Sequence, residues 1–364
     1  GIELASSGKS VVLGEKEVVV GGQCKTEVLK TNDEEYRFDY GGHRFITNNE
    51  YLLDFVEDVL GDELFVRQKY GLEPNDKNFK TWITSRFGKT LYKNFFGPYT
   101  EKLWGIKPKY LSADWAGQRI SLADLKDVAK KLLFKNKKTA RTYAKSYRYP
   151  KYGFGSLPIK MAKRFEDLGG IIITNAQASE FTYDESKIKS VKTKDNEYFA
   201  DNIISTMPLN EMSLKLGFDS KLKFRSLRFL CIGLDIEDFS PHTWQYVSDF
   251  DLLPTRIQEP KRRSPSMSPK GKSSIMLEIP CNKGDKIWHM NEDELLEIVK
   301  KDLNKLKFDI EDKIVDYFSF TTEHAYTLMD VEYNDKRDKT ITYLNKFENL
   351  IMAGRQGTYR YIFL

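Results

Sequence analysis

The stretch VVLGEKEVVVGGQC, residues 11–24, decides the fold class of this chain. An apolar run leads to the acidic Glu15, and a second apolar run leads to the pair Gly21 and Gly22. This order is typical of a buried strand of a parallel sheet that ends in a carboxylate, which can accept hydrogen bonds from two ribose hydroxyls. The preceding residues indicate a short helix with Gly8 as its C-terminal cap. The stretch also fits the ordinary helix–strand opening of an α/β domain.

A glycine-rich turn is expected upstream of this acid. In a dinucleotide-binding unit the acid follows a GxGxxG turn by about 20 residues. Counting back from Glu15 by that distance passes Gly1, so this sequence does not contain the turn. We therefore expect the first strand and its glycine loop to be missing, and the chain to be truncated at this end.

Composition excludes several classes of protein. The 364 residues, 40% of them hydrophobic, are enough for two domains with sizeable cores. The net charge of +5 is too small to argue for a nucleic-acid partner. The three cysteines, Cys24, Cys231 and Cys281, are odd in number and far apart, which favours a reducing compartment such as the cytoplasm. Because the four histidines are scattered, we expect no metal site. No apolar run is long enough to cross a membrane. The sequence does not indicate an oligomeric state.

The chain alternates between three kinds of segment. Residues 1–47, 156–210 and 345–364 have α/β character, and we expect them to form one discontinuous nucleotide-binding domain. Residues 48–155 are predicted to be a mainly helical substrate subdomain. Residues 211–344 are predicted to be an antiparallel-sheet substrate domain with a flanking helix. The sequence therefore predicts a mixed α/β (α+β) protein with a second domain inserted into the first.

Individual elements follow from the apolar spacing. The stretch NNEYLLDFVEDVLG, residues 48–61, has helical periodicity and is predicted to be a helix capped by Asn48 or Asn49. The stretches IISTMP at 203–208 and LIMAG at 350–354 begin with short continuous apolar runs. Runs of this kind are typical of strands buried on both faces, so we expect two buried strands here.

Three separated pieces together resemble a known flavoprotein scaffold. They are the strand–Glu–GG block at 11–22, ADNIISTMP at 200–208 and ENLIMAGRQG at 348–357. In order and spacing they are similar to the FAD-binding scaffold of amine oxidases, protoporphyrinogen oxidases and UDP-galactopyranose mutases. PYTEKLWG at 98–105 and GRQGTYRY at 354–361 also resemble segments of UDP-galactopyranose mutase and related flavoproteins. The resemblance implies a Rossmann-like FAD-binding domain, a mixed-sheet substrate domain, a helical subdomain and a small-molecule substrate.

The sequence also departs from that pattern. The acidic residue that relatives carry just after YRY is not seen, and Phe363 occupies one of its places. Thr327 and Met329 lie in AYTLMDVEY, residues 325–333, where relatives often have Pro and Tyr. Both ends of the expected cofactor site thus look cut off, which predicts a fragment.

The resemblance assigns a cofactor role to ten residues. Glu15 would bind the adenosine ribose, and Lys25 would either meet the pyrophosphate or remain a solvated lysine. Glycines would let the backbone pass close to the cofactor, because a side chain there would block it. The expected FAD-binding set is Glu15, Gly21, Gly22, Lys25, Gly41, Gly42, Arg44, Gly354, Arg355 and Gly357.

Two residues are candidates for the chemistry. The loop GGHRF, residues 41–45, would lie beside the flavin, where His43 could touch the ring or a substrate hydroxyl; the alternative is a packed histidine in a turn. Arg355 would stabilise the negative charge of reduced flavin at its N1–C2=O edge, because a guanidinium is a fixed, planar cation. Its alternative role is to satisfy carbonyl groups at the end of a strand.

Four residues form the expected substrate-binding set. In the mutase-like interpretation Trp104 stacks on the base or sugar of a sugar nucleotide, and Arg119 grips its diphosphate together with Tyr326 and Tyr361. Arg256 is an additional candidate. Each of these residues could instead be an ordinary core or surface residue.

Three functions remain open. The first is a FAD-dependent oxidoreductase that takes a hydride from a C–H bond next to nitrogen or oxygen. The second is an isomerase of the UDP-galactopyranose mutase type, in which reduced FAD attacks an anomeric carbon without net redox change. The third is a truncated remnant that binds no cofactor. The basic run at 130–151 is predicted to be a solvated helix face, with contact to an anionic membrane surface as the alternative.

Overall fold

The computed structural model describes most of the chain. The described residues are 1–31, 34–43, 45, 49–60, 64–66, 78–119 and 148–360. Most of the basic run at 130–151 and the expected end of the first long helix at Gly61 lie outside these ranges.

The described part contains both helices and strands. The α-helices are α1 Ile2–Ser6, α2 Glu50–Leu60, α3 Phe79–Leu91, α4 Gly97–Trp104, α5 Ala113–Arg119, α6 Ser156–Asp167, α7 Leu209–Lys215, α8 Lys286–His289, α9 Glu292–Lys305, α10 Tyr333–Leu344 and α11 Gly354–Gly357. The strands are β1 Val12–Gly14, β2 Thr26–Thr31, β3 Glu34–Asp39, β4 Leu64–Val66, β5 Arg148–Pro150, β6 Ile171–Ile173, β7 Glu180–Tyr183, β8 Ile188–Lys192, β9 Glu197–Phe199, β10 Ile203–Ser205, β11 Phe224–Leu234, β12 Trp244–Tyr246, β13 Arg256–Gln258, β14 Ser273–Cys281, β15 Ile314–Thr327 and β16 Leu350–Met352.

A five-stranded antiparallel sheet is the centre of the molecule. Its order is β12-β13-β14-β11-β15, so the long strands β11 and β14 lie side by side and β15 closes one edge. The stretches RFLCIGLDIE, TWQYVS and SSIMLEIP contain most of β11, β12 and most of β14. We did not predict β15, which pairs with β11 over almost its whole length.

The central strands β11 and β14 are buried at nearly every position because both of their faces are covered. Successive side chains of a strand point to opposite faces. Phe229 and Cys231 of β11 therefore join one core, which includes residues of α3, α4 and α5. Leu230 and Ile232 join a second core on the other face, which includes Val299 of α9. The sheet is thus packed between helices on both of its faces.

The described part of residues 48–155 is mainly helical. Asn49 Oδ1 accepts a hydrogen bond of 3.4 Å from the Leu52 backbone N–H, as expected for the cap of α2. Helices α3 and α4 are joined through a π-helical turn at Tyr92–Phe96. Trp82 and Trp104 are both buried in the core that these helices share with the sheet.

The segments expected to bind a nucleotide contain two parallel strand pairs, β1 with β6 and β10 with β16. The expectation that β1, β10 and β16 are buried is wrong. Val12 is 52% exposed, and Ile204 and Ile351, which pair with each other, are 52% and 55% exposed. Each pair is a two-stranded sheet, and in the described residues at least one face of each pair has no covering layer.

Other local predictions agree with the structure. Gly8 has a φ of +74°, and the Lys9 N–H bonds the Leu4 carbonyl at 3.1 Å, so Gly8 ends α1 as expected. The cysteines are free. Among the described residues, the helices are too short or too polar to cross a membrane.

The segment 153–155 gives a test of the packing. A Cβ added to Gly155 would lie 2.8 Å from the backbone nitrogen of Thr26 in β2, a contact that backbone atoms cannot relieve. We predict that Gly155→Ala lowers the free energy of unfolding by about 1–3 kcal/mol, as overpacking does. Gly14→Ala is the control, since its Cβ would meet its nearest neighbour at an ordinary 3.7 Å. Urea denaturation of both variants measures this, and equal stability of the two would contradict the packing described here.

Candidate functional site

Two glycine turns from opposite ends of the chain meet on strand β15. The side-chain amide of Gln23 donates a hydrogen bond to the carbonyl oxygen of His324. Gln356 donates to the same oxygen at 2.6 Å. Arg355 Nη2 donates to the next carbonyl, that of Ala325, at 3.1 Å. The GGQC and GRQG segments are therefore neighbours, held by adjacent carbonyls of one strand.

Glycines of these two turns, and Gly41 of the GGH loop at residues 41–43, have backbone conformations that other residues rarely adopt. The φ angles are +122° at Gly21, +52° at Gly22, +127° at Gly41 and +73° at Gly354. A Cβ at Gly357 would lie 3.1 Å from the Ser205 carbonyl, so the GRQG turn packs tightly on the end of β10. Left-handed turns without side chains expose backbone N–H groups, which suits the close approach of an anionic or planar ligand.

The GGH loop lies over a buried polar network. A Cβ at Gly42 would lie 3.2 Å from Nη1 of Arg256 and 3.5 Å from Oε1 of Gln258. In this network Arg256 donates to Glu278 Oε2 from Nε at 3.0 Å and from Nη2 at 2.6 Å. Gln258 donates to Glu278 and accepts from Arg263. The loop backbone thus rests directly on guanidinium and amide groups.

His43 at the end of this loop is neutral. Burial, reinforced by the positive charges of Arg355, Arg263 and Arg256, lowers the pKa of its imidazole to about 3. Its ring lies 5.8 Å from that of Phe154, and in the described part of the chain Nδ1 has no hydrogen-bond partner. A buried polar atom without a partner calls for an explanation, such as a bound ligand, an ordered water or strain.

Asp39 holds the Phe154 segment, which packs against the ring of His43. Its carboxylate accepts hydrogen bonds from Thr26 Oγ1 at 2.6 Å, from the Tyr149 hydroxyl at 2.6 Å and from the Phe154 N–H at 2.8 Å. Burial raises the pKa of Asp39, although these donors oppose the shift. Because Phe154 packs on the imidazole, Asp39 helps to orient His43.

An aromatic wall, formed by Trp104 and Tyr326, adjoins this polar network. Arg256 Nη2 donates to the Tyr326 hydroxyl at 3.1 Å, and the Tyr326 ring lies 5.6 Å from that of Trp104. The buried Nε1 of Trp104 has no partner among the described residues. Two of the expected substrate residues, Trp104 and Tyr326, are thus neighbours, and the additional candidate Arg256 joins them. Its ion pair with Glu278 already neutralises the Arg256 charge.

Of the remaining predicted residues, Lys25 adjoins Gly21, where an added Cβ would lie 3.3 Å from Lys25 Cγ, and others lie outside the described residues. The Glu15 carboxylate accepts a hydrogen bond from the Glu17 N–H at 3.0 Å, and Lys25 Nζ lies 5.5 Å from the Tyr40 ring centroid. Arg119 ends α5, and its side chain is not described. Arg44 and Tyr361 lie outside the described residues.

Sequence reasoning missed several residues of this site. Gln23 and Gln356 were read as part of glycine turns, and Gln258, Arg263 and Glu278 were not singled out. A signal for Glu278 was present, because a carboxylate interrupts the apolar run SSIMLEIP. A charged residue in a strand buried on both faces requires a partner, and the sequence alone does not tell which residue provides it.

The residues present fit a flavin. The backbone of the left-handed glycine turns can approach a planar ring, the unpartnered Nδ1 of His43 offers a hydrogen bond, and the guanidinium of Arg355 offers positive charge beside it. Cationic and N–H groups of this kind stabilise a flavin that gains electrons.

Comparison with solved structures agrees with this geometry. A reduced UDP-galactopyranose mutase superposes with a TM-score of 0.81 at 19% identity, covering 99% of this chain and 86% of the mutase. A protein assigned as a protoporphyrinogen oxidase from Exiguobacterium sp. 255-15 has a TM-score of 0.74 at 13% identity, covering 98% and 90%. Cyclohexylamine oxidase from Brevibacterium oxydans IH-35A has a TM-score of 0.63 at 13% identity, with the same coverage. At these identities the likeness shows the fold.

Comparison with family profiles shows the family. The profile of a NAD(P)-binding Rossmann-like domain matches residues 1–59, which confirms the predicted Rossmann-like character of the N-terminal segment. The profile of flavin containing amine oxidoreductases matches residues 105–356, which is more than half of the chain. The chain therefore belongs to the flavin containing amine oxidoreductase family.

Proposed function

We propose that this protein is a FAD-dependent oxidoreductase that acts on a sugar nucleotide or a polysaccharide-related substrate. One observation carries the proposal. The GGQC and GRQG turns share the His324 carbonyl, and the positive charge of Arg355 acts on His43 of the GGH loop. Three glycine segments far apart in sequence thus surround one place, as a large planar cofactor requires.

In this proposal the FAD-binding domain is formed by residues 1–47, 156–210 and 345–364. Arg355 would face the N1–C2=O edge of the flavin, with its other contact on the Ala325 carbonyl keeping it in place. The neutral His43 would contact the ring or a substrate hydroxyl as a hydrogen-bonding group and not as a cation. When bound, the flavin supplies two-electron redox chemistry or, in its reduced form, a nucleophile.

The substrate interpretation depends on the aromatic wall. The Trp104 and Tyr326 rings are adjacent and lie beside a polar network, a setting that suits a flat base or a sugar with hydroxyl groups. Arg119 and Tyr361 remain proposed diphosphate contacts.

An isomerase of the UDP-galactopyranose mutase type is the alternative, and the extent of the superposition on such a mutase favours keeping it. Adding UDP-galactopyranose to flavin-loaded protein separates the two functions. A mutase should show a change in the flavin spectrum only after reduction with dithionite. Turnover that consumes an electron acceptor would instead support the oxidoreductase.

A further alternative is that the chain binds no cofactor. In that case titration with the chain should leave the fluorescence of FAD unchanged.

We predict that Arg355→Ala lowers the reduction potential of the bound flavin. The charge of Arg355 should stabilise the anionic reduced form more than the neutral oxidised form. Loss of one charge-assisted hydrogen bond of about 1.5–3 kcal/mol corresponds to roughly 30–65 mV for a two-electron couple. Arg355→Lys should restore only part of this, because a point charge does not reproduce a planar contact. Spectroscopic redox titration measures the potential.

Arg337→Ala is the matched control for this experiment. Arg337 is a cation of α10 that pairs with the neighbouring Asp338, so its removal should leave the potential unchanged. An unchanged potential in Arg355→Ala, with flavin still bound, would place Arg355 away from the ring and contradict the proposed site.

The low pKa of His43 predicts a stability that depends on pH. Between about pH 3 and the usual histidine value of about 6.5, the unfolded chain binds a proton at His43 and the folded chain does not. This contribution to stability is complete above about pH 6.5 and is lost as the pH falls towards 3. From pH 7 to pH 5 the wild type should lose about 2 kcal/mol more than His43→Gln in urea denaturation.

The exposed His242 provides the control for this pH effect, and His242→Gln should keep the wild-type pH dependence. If His43→Gln and the wild type lose stability equally on acidification, His43 is protonated in the folded state. Its assignment as a neutral hydrogen-bonding group would then be wrong.

A further inference from the structure

Arg263 is a buried cation without an ion pair. Its side chain is 2% exposed, and among the described residues no carboxylate oxygen lies within 4.0 Å of its guanidinium. Its Nη2 donates to the neutral Oε1 of Gln258, and its guanidinium carbon lies 5.7 Å from the Trp244 ring centroid. Its Nε has no hydrogen-bond partner in the part of the chain that the structure describes. A buried charge that no opposite charge balances is costly, so its retention suggests a function.

The neighbouring Arg256 differs from Arg263 in this respect. Arg256 is paired with Glu278 through two donors, so that pair has no net charge. Gln258 stands between Arg263 and Glu278, accepting from the guanidinium and donating to the carboxylate. The amide therefore holds Arg263 in position without neutralising it.

Other charges near His43 leave an excess of positive charge. The cations that act on His43 are Arg355, Arg263 and Arg256, and Glu278 balances the last. Asp39 is a buried carboxyl group that interacts electrostatically with Arg263 over a longer distance. Its oxygens accept hydrogen bonds from three other donors. Even with Asp39 fully ionised, three guanidinium groups against two carboxylates leave the surroundings of His43 positive.

Arg263 lies directly beneath the GGH loop. A Cβ at Gly42 would be 3.6 Å from its Nη2. We propose that Arg263 is a specificity-determining residue whose unbalanced charge makes the Gly42–His43 loop favour anionic groups and disfavour ammonium groups. Through a medium of low polarity this charge acts on a ligand that Arg263 does not touch. The inference deepens the proposed function, because it rests on this loop facing the substrate.

Ion binding to this chain tests this role. Calorimetric titration with inorganic pyrophosphate and with butylammonium compares a multiply charged anion with a cation. We expect the wild type to bind pyrophosphate and to bind butylammonium at least 100-fold more weakly. Arg263→Gln should weaken pyrophosphate binding at least 10-fold, and Arg263→Lys should stay within about threefold of wild type, because it keeps the charge.

A double variant separates charge from packing. Arg256→Gln with Glu278→Gln removes a buried ion pair from the same network without changing its net charge. It should weaken pyrophosphate binding less than Arg263→Gln does. An equal or larger loss in the double variant would mean that network geometry, and not the charge of Arg263, sets the affinity, and would overturn the proposal.

NMR of His43 provides a readout that needs neither flavin nor substrate. With ¹⁵N-labelled histidine, and His43 assigned by His43→Gln, its protonation should move to higher pH in Arg263→Gln and remain low in Arg263→Lys. Unchanged titration of His43 in Arg263→Gln, or unchanged pyrophosphate affinity, would overturn the proposal. Failure of the wild type to bind FAD would count against the proposed function instead, since neither readout here depends on the cofactor.

Discussion

The carbonyl oxygen of His324 is the contact on which the candidate site depends. It accepts hydrogen bonds from Gln23 near the start of the chain and from Gln356 near its end. The adjacent Ala325 carbonyl holds Arg355. These carbonyls lie where the register of the β11–β15 pairing shifts, and the regular pairs on either side, at Thr322 and Tyr326, anchor the segment that carries them. Two flexible glycine turns thereby acquire defined positions relative to each other.

The GGH loop is positioned by a different kind of contact. Its backbone rests on the Arg256–Glu278 network, and Asp39 holds the Phe154 segment against the His43 ring. A buried polar network of this kind lowers the stability of the fold unless its polar groups are hydrogen-bonded. Among the described residues, Nδ1 of His43 and Nε of Arg263 have no hydrogen-bond partner, and both lie at this loop.

Much of the fold could be predicted from the sequence, because apolar spacing reports local geometry. The helix Glu50–Leu60 and the strands around Phe229 follow from periods of 3.6 and 2. Burial of β10 and β16 was predicted wrongly, since an apolar strand is buried only if a covering layer is present, and Ile204 and Ile351 have none in the described residues. The glycine turns were recognised as candidates, whereas Gln23 and Arg263 were not, because their partners are fixed only by tertiary contacts.

The central claim is that three distant glycine segments form one flavin site. A crystal structure of this chain with added FAD tests it most directly. The account predicts the isoalloxazine ring beside the Gly41–His43 loop, with the guanidinium of Arg355 within about 3.5 Å of the N1–C2=O edge. Ordered FAD at another place, away from the Gly41–His43 loop and Arg355, would contradict it.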